Sequence, residues 1–153
     1  MATTEGLGRL YRDTVLDHSS HPRNFGRLES PDREATGHNP LCGDKISLYL
    51  RITPGGRIDA AAFEASGCAI SMASASMLTD LVRGLSQAEA QDMIRSVEST
   101  FYDRPGSTPP GELAALAGVR DYPSRIRCAT LPWRTLDAAL RQYSDPVSTE
   151  EEG

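Results

Sequence analysis

Apolar residues fall on every second position from Ile46 to Ile52, with Lys45, Ser47, Tyr49 and Arg51 on the alternate positions. A period of two is that of a strand with one buried face. Pro54-Gly55-Gly56 interrupts the pattern, and Arg57 to Ala65 returns as a second strand. The pair reads as a β-hairpin, which makes the local sheet antiparallel. Upstream, Leu7, Leu10, Tyr11, Thr14 and Val15 are spaced as on one face of a helix, so a short amphipathic helix is expected from Leu7 to about His18. The breakers and turn formers of Ser19 to Gly26 close it, and His18 and His21 belong to that closing loop. Ser30 to Gly37 is polar and reads mostly as loop, with an edge strand over Arg33 to Thr36 as the alternative.

The period changes after Ser66-Gly67-Cys68. Ala69 to Arg83 is rich in alanine, serine and methionine, with Ile70, Ala73, Met77 and Leu81 on one face; it reads as a buried helix ended by Gly84. Ser86-Gln87-Ala88-Glu89 has the form of a capping box, which starts another helix running to about Ser99. Met72, Met77 and Met93 are read as fillers of core gaps. Phe101 to Pro110 is a connection, Gly111 to Ala117 a short helical turn, and Ser124 to Tyr143 the last helix, which Pro132 should kink or start. Strands and helices segregate along the chain. The expected class is therefore α+β, a small antiparallel sheet with helices packed on one face. One domain over residues 1–143 and a flexible acidic tail over 144–153 complete the reading.

A chain of 153 residues with 39% hydrophobic and 24% charged residues can bury a core. The net charge of -5 argues against a nucleic-acid partner or an anionic membrane surface. No apolar run approaches the ~20 residues of a membrane span. The first eight residues lack a basic region followed by an apolar core, so the expected location is the cytoplasm.

The chemistry lies in three cysteines and one carboxylate. Three cysteines cannot all pair within one chain, so reduced thiols are expected, either as ordinary buried residues or as ligands. All three fall at element boundaries. Cys42 stands in the turn Asn39-Pro40-Leu41-Cys42-Gly43-Asp44 at the mouth of the first clear strand, Cys68 joins a strand to a helix, and Cys128 lies near the start of the last helix. The helix dipole beyond Cys68 favours a thiolate there. Three thiolates with Asp44 are a complete tetrahedral set for zinc, or a set for an iron-sulfur cluster. No C-x-x-C pair occurs, so only the fold could assemble such a site. Arg125 and Arg127 would either offset its negative charge or stand as solvated helix charges.

Leu41-Cys42-Gly43-Asp44, Gly67-Cys68-Ala69-Ile70-Ser71 and Ile126-Arg127-Cys128 resemble the three cysteine motifs of the IscU/NifU-type iron-sulfur assembly proteins. The resemblance runs from about Leu10 to Tyr143 and includes His21-Pro22-Arg23-Asn24-Phe25-Gly26. Three departures from the scaffold branch point to the SufU branch. Arg127 stands where scaffolds have histidine, Tyr122-Pro123-Ser124-Arg125-Ile126 replaces their chaperone-recognition motif, and the Cys68–Cys128 segment is longer, with Phe101 to Asp121 as the insertion.

The resemblance implies Zn2+ held by Cys42, Asp44, Cys68 and Cys128, with Cys42 as the mobile sulfur acceptor and Asp44 as the anchor. It implies a SufS-type cysteine desulfurase as sulfur donor, whose histidine replaces Cys42 on the metal, and Suf scaffold proteins downstream. The alternatives are an IscU-like scaffold carrying an iron-sulfur cluster and a structural zinc domain. His38 also admits a Cys-His nucleophile with Cys42, set against a loop histidine near the site.

Overall fold

The computed structural model describes residues 13–40, 43–102, 116, 119, 123–142 and 146–148. Its elements are α1 (13–20), β1 (Arg33–Asn39), β2 (Asp44–Ile52), β3 (Ile58–Ser66), α2 (Ala69–Leu81), α3 (Gln87–Tyr102), α4 (Pro123–Arg141) and β4 (Val147–Ser148). The sheet order is β3-β2-β1-β4. The first three strands are antiparallel, β2 and β3 as the expected hairpin, and β4 pairs in parallel with β1. The fold is α+β with a four-stranded mixed sheet.

The hairpin is the predicted one. Leu48 and Leu50 are fully buried, and the register runs from Lys45↔Ser66 to Ile52↔Ile58 with a bulge at Arg51/Ile52. Tyr49, on the opposite face, is also buried: the Arg27 guanidinium lies 5.5 Å from its ring centre and its hydroxyl donates to Glu64 Oε1 at 2.7 Å. Burial first, and then Glu64, pushes the Tyr49 phenol pKa up.

The polar segment Arg33–Asn39 is not a loop but a full strand inside the sheet. Its inward positions are Ala35, Gly37 and Asn39, too small or too polar to produce an apolar alternation. Gly37 is required there by close approach: a Cβ would overlap Thr135 Oγ1 and stand 3.1 Å from Leu131 Cδ1, because α4 lies directly on the β1 backbone. Residues 146–148 of the expected tail lie beside β1, with Gly37↔Val147 and His38↔Ser148 as partners.

Helix α2 is buried on nearly every side, from Ile70 to Thr79 apart from Met72. Its small side chains admit close neighbours, and its hydroxyls bond to them. Ser74 Oγ donates to the Ala129 carbonyl at 2.6 Å and accepts from Trp133 Nε1 at 3.2 Å, tying α2 to α4. Ser76 Oγ accepts the Arg23 main-chain N–H at 2.8 Å and lies 2.7 Å from His18 Nδ1. His18 is thus a buried member of α1 packed on α2, not part of a closing loop. Asn24, in the left-handed region at φ 58, donates to Thr79 Oγ1 at 3.0 Å. Next to it the chain bonds to the outer edge of β3 through Gly26 N–H to Phe63 O at 2.7 Å, and Phe25 meets Phe63 edge-on at 5.3 Å. The His21–Gly26 motif is therefore a clip that joins α1, α2 and a sheet edge, and it covers that edge.

Gly84 has φ +88 beyond the end of α2. Met77 is buried, and Met72 and Met93 pack against the core as partly buried residues, as expected. Pro132 lies within a continuous α4 that starts at Pro123, so it does not mark the helix start. Lacking an N–H, it cannot bond the carbonyl four residues back, that of Cys128. The expected turn at Gly111–Ala117 lies outside the described residues except at Leu116, which is buried. No helix among the described residues is long and apolar enough to cross a membrane.

The capping box forms as predicted: Ser86 N–H donates to Glu89 Oε1 at 2.9 Å and Glu89 N–H to Ser86 Oγ at 3.1 Å. The Ser86 main chain, and then its hydroxyl, holds the Glu89 pKa below its ordinary 4.5. A lowered folded-state pKa gives stability that is present above the ordinary value and lost as pH falls through the folded one. The stability gap between wild type and Glu89→Gln should therefore narrow as pH drops from about 6 to about 3; a constant gap in urea titrations would contradict this. Separately, Ser76→Ala removes one buried group that serves both His18 and Arg23, and should cost about 1–3 kcal/mol in urea unfolding.

Candidate metal centre

Asp44, Cys68 and Cys128 converge at one end of the sheet, although 24 and 84 residues separate Asp44 from the two cysteines in sequence (68 − 44 and 128 − 44). One ligand atom from each lies within 4.8 Å of the other two. Asp44 is the first residue of β2, Cys68 the N-cap of α2, and Cys128 sits in the second turn of α4. Asp44 and Cys128 are fully buried, and Cys68 is half-buried. Cys42 lies outside the described residues, two positions before Asp44 in the chain.

The Asp44 carboxylate is held from both sides. Its Oδ1 accepts the Cys68 main-chain N–H at 2.8 Å, and its Oδ2 accepts from Asn39 Nδ2 at 3.3 Å. Gly67 makes the first contact possible. It has φ +140, and a Cβ on it would overlap Asp44 Oδ1 and stand 2.8 Å from Asp44 Cα. The Cys68 sulfur is 3.9 Å from Asp44 Oδ2. The Cys128 thiol lies 3.6 Å from the Ser124 carbonyl and 3.5 Å from Asn39 Nδ2.

The Cys68 thiol pKa is drawn down to about 6. A hydrogen bond with Cys128 is the largest cause; burial opposes it, the Ser71 and Ile70 main-chain N–H groups favour the thiolate, and Asp44 disfavours it. The two N–H groups belong to the first turn of α2, so the helix start acts on the sulfur as the position of Cys68 predicts, without a capping hydrogen bond of ordinary geometry. A thiolate-forming cysteine, a second thiol and a carboxylate within one small volume form a donor set that suits zinc.

The other candidates fall elsewhere. His38 is in β1 rather than a loop, and it follows the strand alternation onto the face opposite Asn39. There it lines an open groove with Thr36, Lys45, Ser47 and Glu64, and it does not join the Asp44-Cys68-Cys128 group. Arg125 is exposed at the start of α4 and Arg127 is half-buried. Asn39 is the residue that sequence reasoning passed over. It is fully buried, ends β1 and pairs in register with Asp44. The signal that could have found it is an asparagine five residues before the carboxylate, across a turn short enough to make the two partners.

The NifU-like N-terminal domain family matches residues 10–129. The zinc-dependent sulfurtransferase SufU of Bacillus subtilis (strain 168) is 38% identical over 144 residues, covering 92% of this chain and 95% of that one. The iron-sulfur cluster assembly scaffold protein IscU of Streptococcus pyogenes serotype M1 is also 38% identical, over 141 residues, 91% of this chain and 87% of its own. Among solved structures, the iron-sulfur cluster assembly scaffold protein for the SUF system (FiSufU) from Fervidobacterium islandicum AW-1 superposes with a TM-score of 0.77 at 30% identity, covering 86% of this chain and 97% of its own. A nitrogen-fixing NifU-like protein (N-terminal) from Brucella abortus gives 0.79 at 26% identity, covering 94% and 96%. The chain belongs to the NifU-like N-terminal domain family of iron-sulfur cluster assembly proteins.

Because Gly67 combines φ +140 with contact against Asp44, Gly67→Ala should lower stability by at least about 2 kcal/mol and displace the carboxylate. Urea unfolding and divalent-metal binding would both report the change; a variant equal to wild type in both would contradict the claimed contact.

Proposed function

We propose that this protein is a zinc-dependent sulfur acceptor in iron-sulfur cluster biogenesis, taking persulfide sulfur from a SufS-type cysteine desulfurase on Cys42. The observation that carries the reading is the convergence of Asp44, Cys68 and Cys128 ligand atoms within 4.8 Å. Those three residues would hold Zn2+, with Cys42, two positions upstream of Asp44, as the fourth ligand. Two thiols and a carboxylate match the hard and soft donors zinc accepts, and the 38% identity to a zinc-dependent sulfurtransferase supports that metal. Bound zinc would keep the thiols deprotonated at neutral pH while it damps their nucleophilicity.

The roles of the residues differ by position. Asp44 is buried and hydrogen-bonded on both oxygens, so it suits a ligand that stays. Cys68 and Cys128 are carried by two helices that pack on each other and on the sheet. Cys42 comes two positions before the first residue of β2 in the sequence and belongs to neither helix, and we read it as the ligand that leaves. Its thiolate attacks the outer sulfur of the partner's cysteine persulfide. A Cys42 Sγ–S bond forms, the partner's S–S bond breaks, and the partner cysteine departs as thiolate. The transferred sulfur then passes to scaffold proteins of the same pathway.

The equal identity to an IscU scaffold favours a second reading, in which the same four residues hold a nascent iron-sulfur cluster for delivery. Purified protein with an iron-sulfur chromophore transferable to an apo-ferredoxin would support that reading over zinc.

In a sulfide-release assay with a SufS-type desulfurase and cysteine, Cys42→Ala should reduce stimulation to background. Asp44→Ala should do the same and also lose zinc by elemental analysis. Full stimulation by Cys42→Ala would overturn the acceptor assignment.

A further inference from the structure

We infer that Asn39 is a positioning residue for the metal centre, whose carboxamide holds Asp44 and Cys128 in the arrangement that a metal requires. The inference rests on reading Asp44, Cys68 and Cys128 as metal ligands. Asn39 is the last residue of β1 and the register partner of Asp44, and its side chain is fully buried. One nitrogen, Nδ2, faces two of the three ligand residues, at 3.3 Å from Asp44 Oδ2 and 3.5 Å from Cys128 Sγ. An amide nitrogen only donates, so a single carboxamide can tether a carboxylate oxygen of β2 and a sulfur of α4 to the end of β1.

The geometry explains why asparagine fits. Three groups that all tend toward negative charge lie within 4.8 Å and repel one another when ionised. An aspartate at 39 would add a fourth like charge. A leucine would fill the same space with no donor, leaving Asp44 Oδ2 and the Cys128 sulfur without this contact. Asp44 would still be held through Oδ1 by the Cys68 N–H. Asn39 thus acts on one carboxylate oxygen and the main chain on the other, which fixes the plane of the carboxylate. The anchor is set by β1 as well as by α2.

The test uses the full chain as wild type, Asn39→Leu and Asn39→Ala; the smaller alanine leaves space that water can enter if leucine does not fold. Three quantities are measured: Zn2+ affinity by competition with a chromophoric chelator, the absorption spectrum of the Co2+-substituted protein, and the melting temperature of the metal-free form. The expected result is Zn2+ binding weakened about 10–100-fold, the usual scale for loss of a hydrogen bond to a metal ligand. The thiolate-to-Co2+ charge-transfer band should also move to longer wavelength, because a sulfur that loses a donated N–H gives up electrons more readily. A residue that only fills space would lower the melting temperature and leave the band in place.

Zn2+ affinity within about threefold of wild type with an unmoved band overturns the inference. So does failure of both variants to fold with or without Zn2+, which would make Asn39 a structural residue. A wild type that binds neither Zn2+ nor Co2+ overturns the metal reading itself, and this inference with it.

Discussion

A single buried carboxylate organises this molecule. Asp44 is fully buried, yet it joins three segments that are distant in sequence. Its Oδ1 takes the N–H of Cys68 at the start of α2, its Oδ2 takes the amide of Asn39 at the end of β1, and Cys128 of α4 lies against the same group. A buried carboxylate is tolerated only where such partners replace its hydration. Gly67 must lack a side chain, because Asp44 occupies the space that a Cβ would take. The end of β1, the start of β2, the β3–α2 junction and the start of α4 thereby meet at one point.

The rest of the fold supports that point. Helix α2 carries small residues along its whole length, which lets α1, α4 and the sheet approach it closely. Its hydroxyls bond to the elements packed against it: Ser74 to the Ala129 carbonyl and Trp133, and Ser76 to the Arg23 main chain and His18. The His21–Gly26 segment is fastened to this helix and to the β3 edge. Rigid placement of α2 fixes Cys68, and α4 fixes Cys128. Asp44, Cys68 and Cys128 are thus all carried by elements packed on one another.

Much of the architecture was legible because local physics writes it directly. The period-two run from Ile46, the capping box at Ser86 and the glycine at 84 each predict one local geometry, and the structure contains all three. The segment Arg33–Asn39 was not legible as a full strand. Its inward positions are Ala35, Gly37 and Asn39, chosen for contact with α4 and Asp44 and not for hydrophobicity. β4 was hidden for a related reason: two residues pair through their backbones, and backbone pairing leaves little trace in side-chain pattern. His18 looked like a loop residue because its partner, Ser76, lies 58 positions away.

By itself, the sequence determined the β2–β3 hairpin, the helices that follow it, the α+β class and the short set of residues able to bind a metal, because thiols, carboxylates and hydrophobic periods are properties of residues and their near neighbours. Only the tertiary structure decided which of them meet. It brought Asp44, Cys68 and Cys128 within 4.8 Å, sent His38 to the opposite face of the sheet, and set the Asn39 amide against both Asp44 and Cys128. The reason is physical: the site has no local motif, so its geometry exists only once β1, β2, α2 and α4 pack around one buried carboxylate.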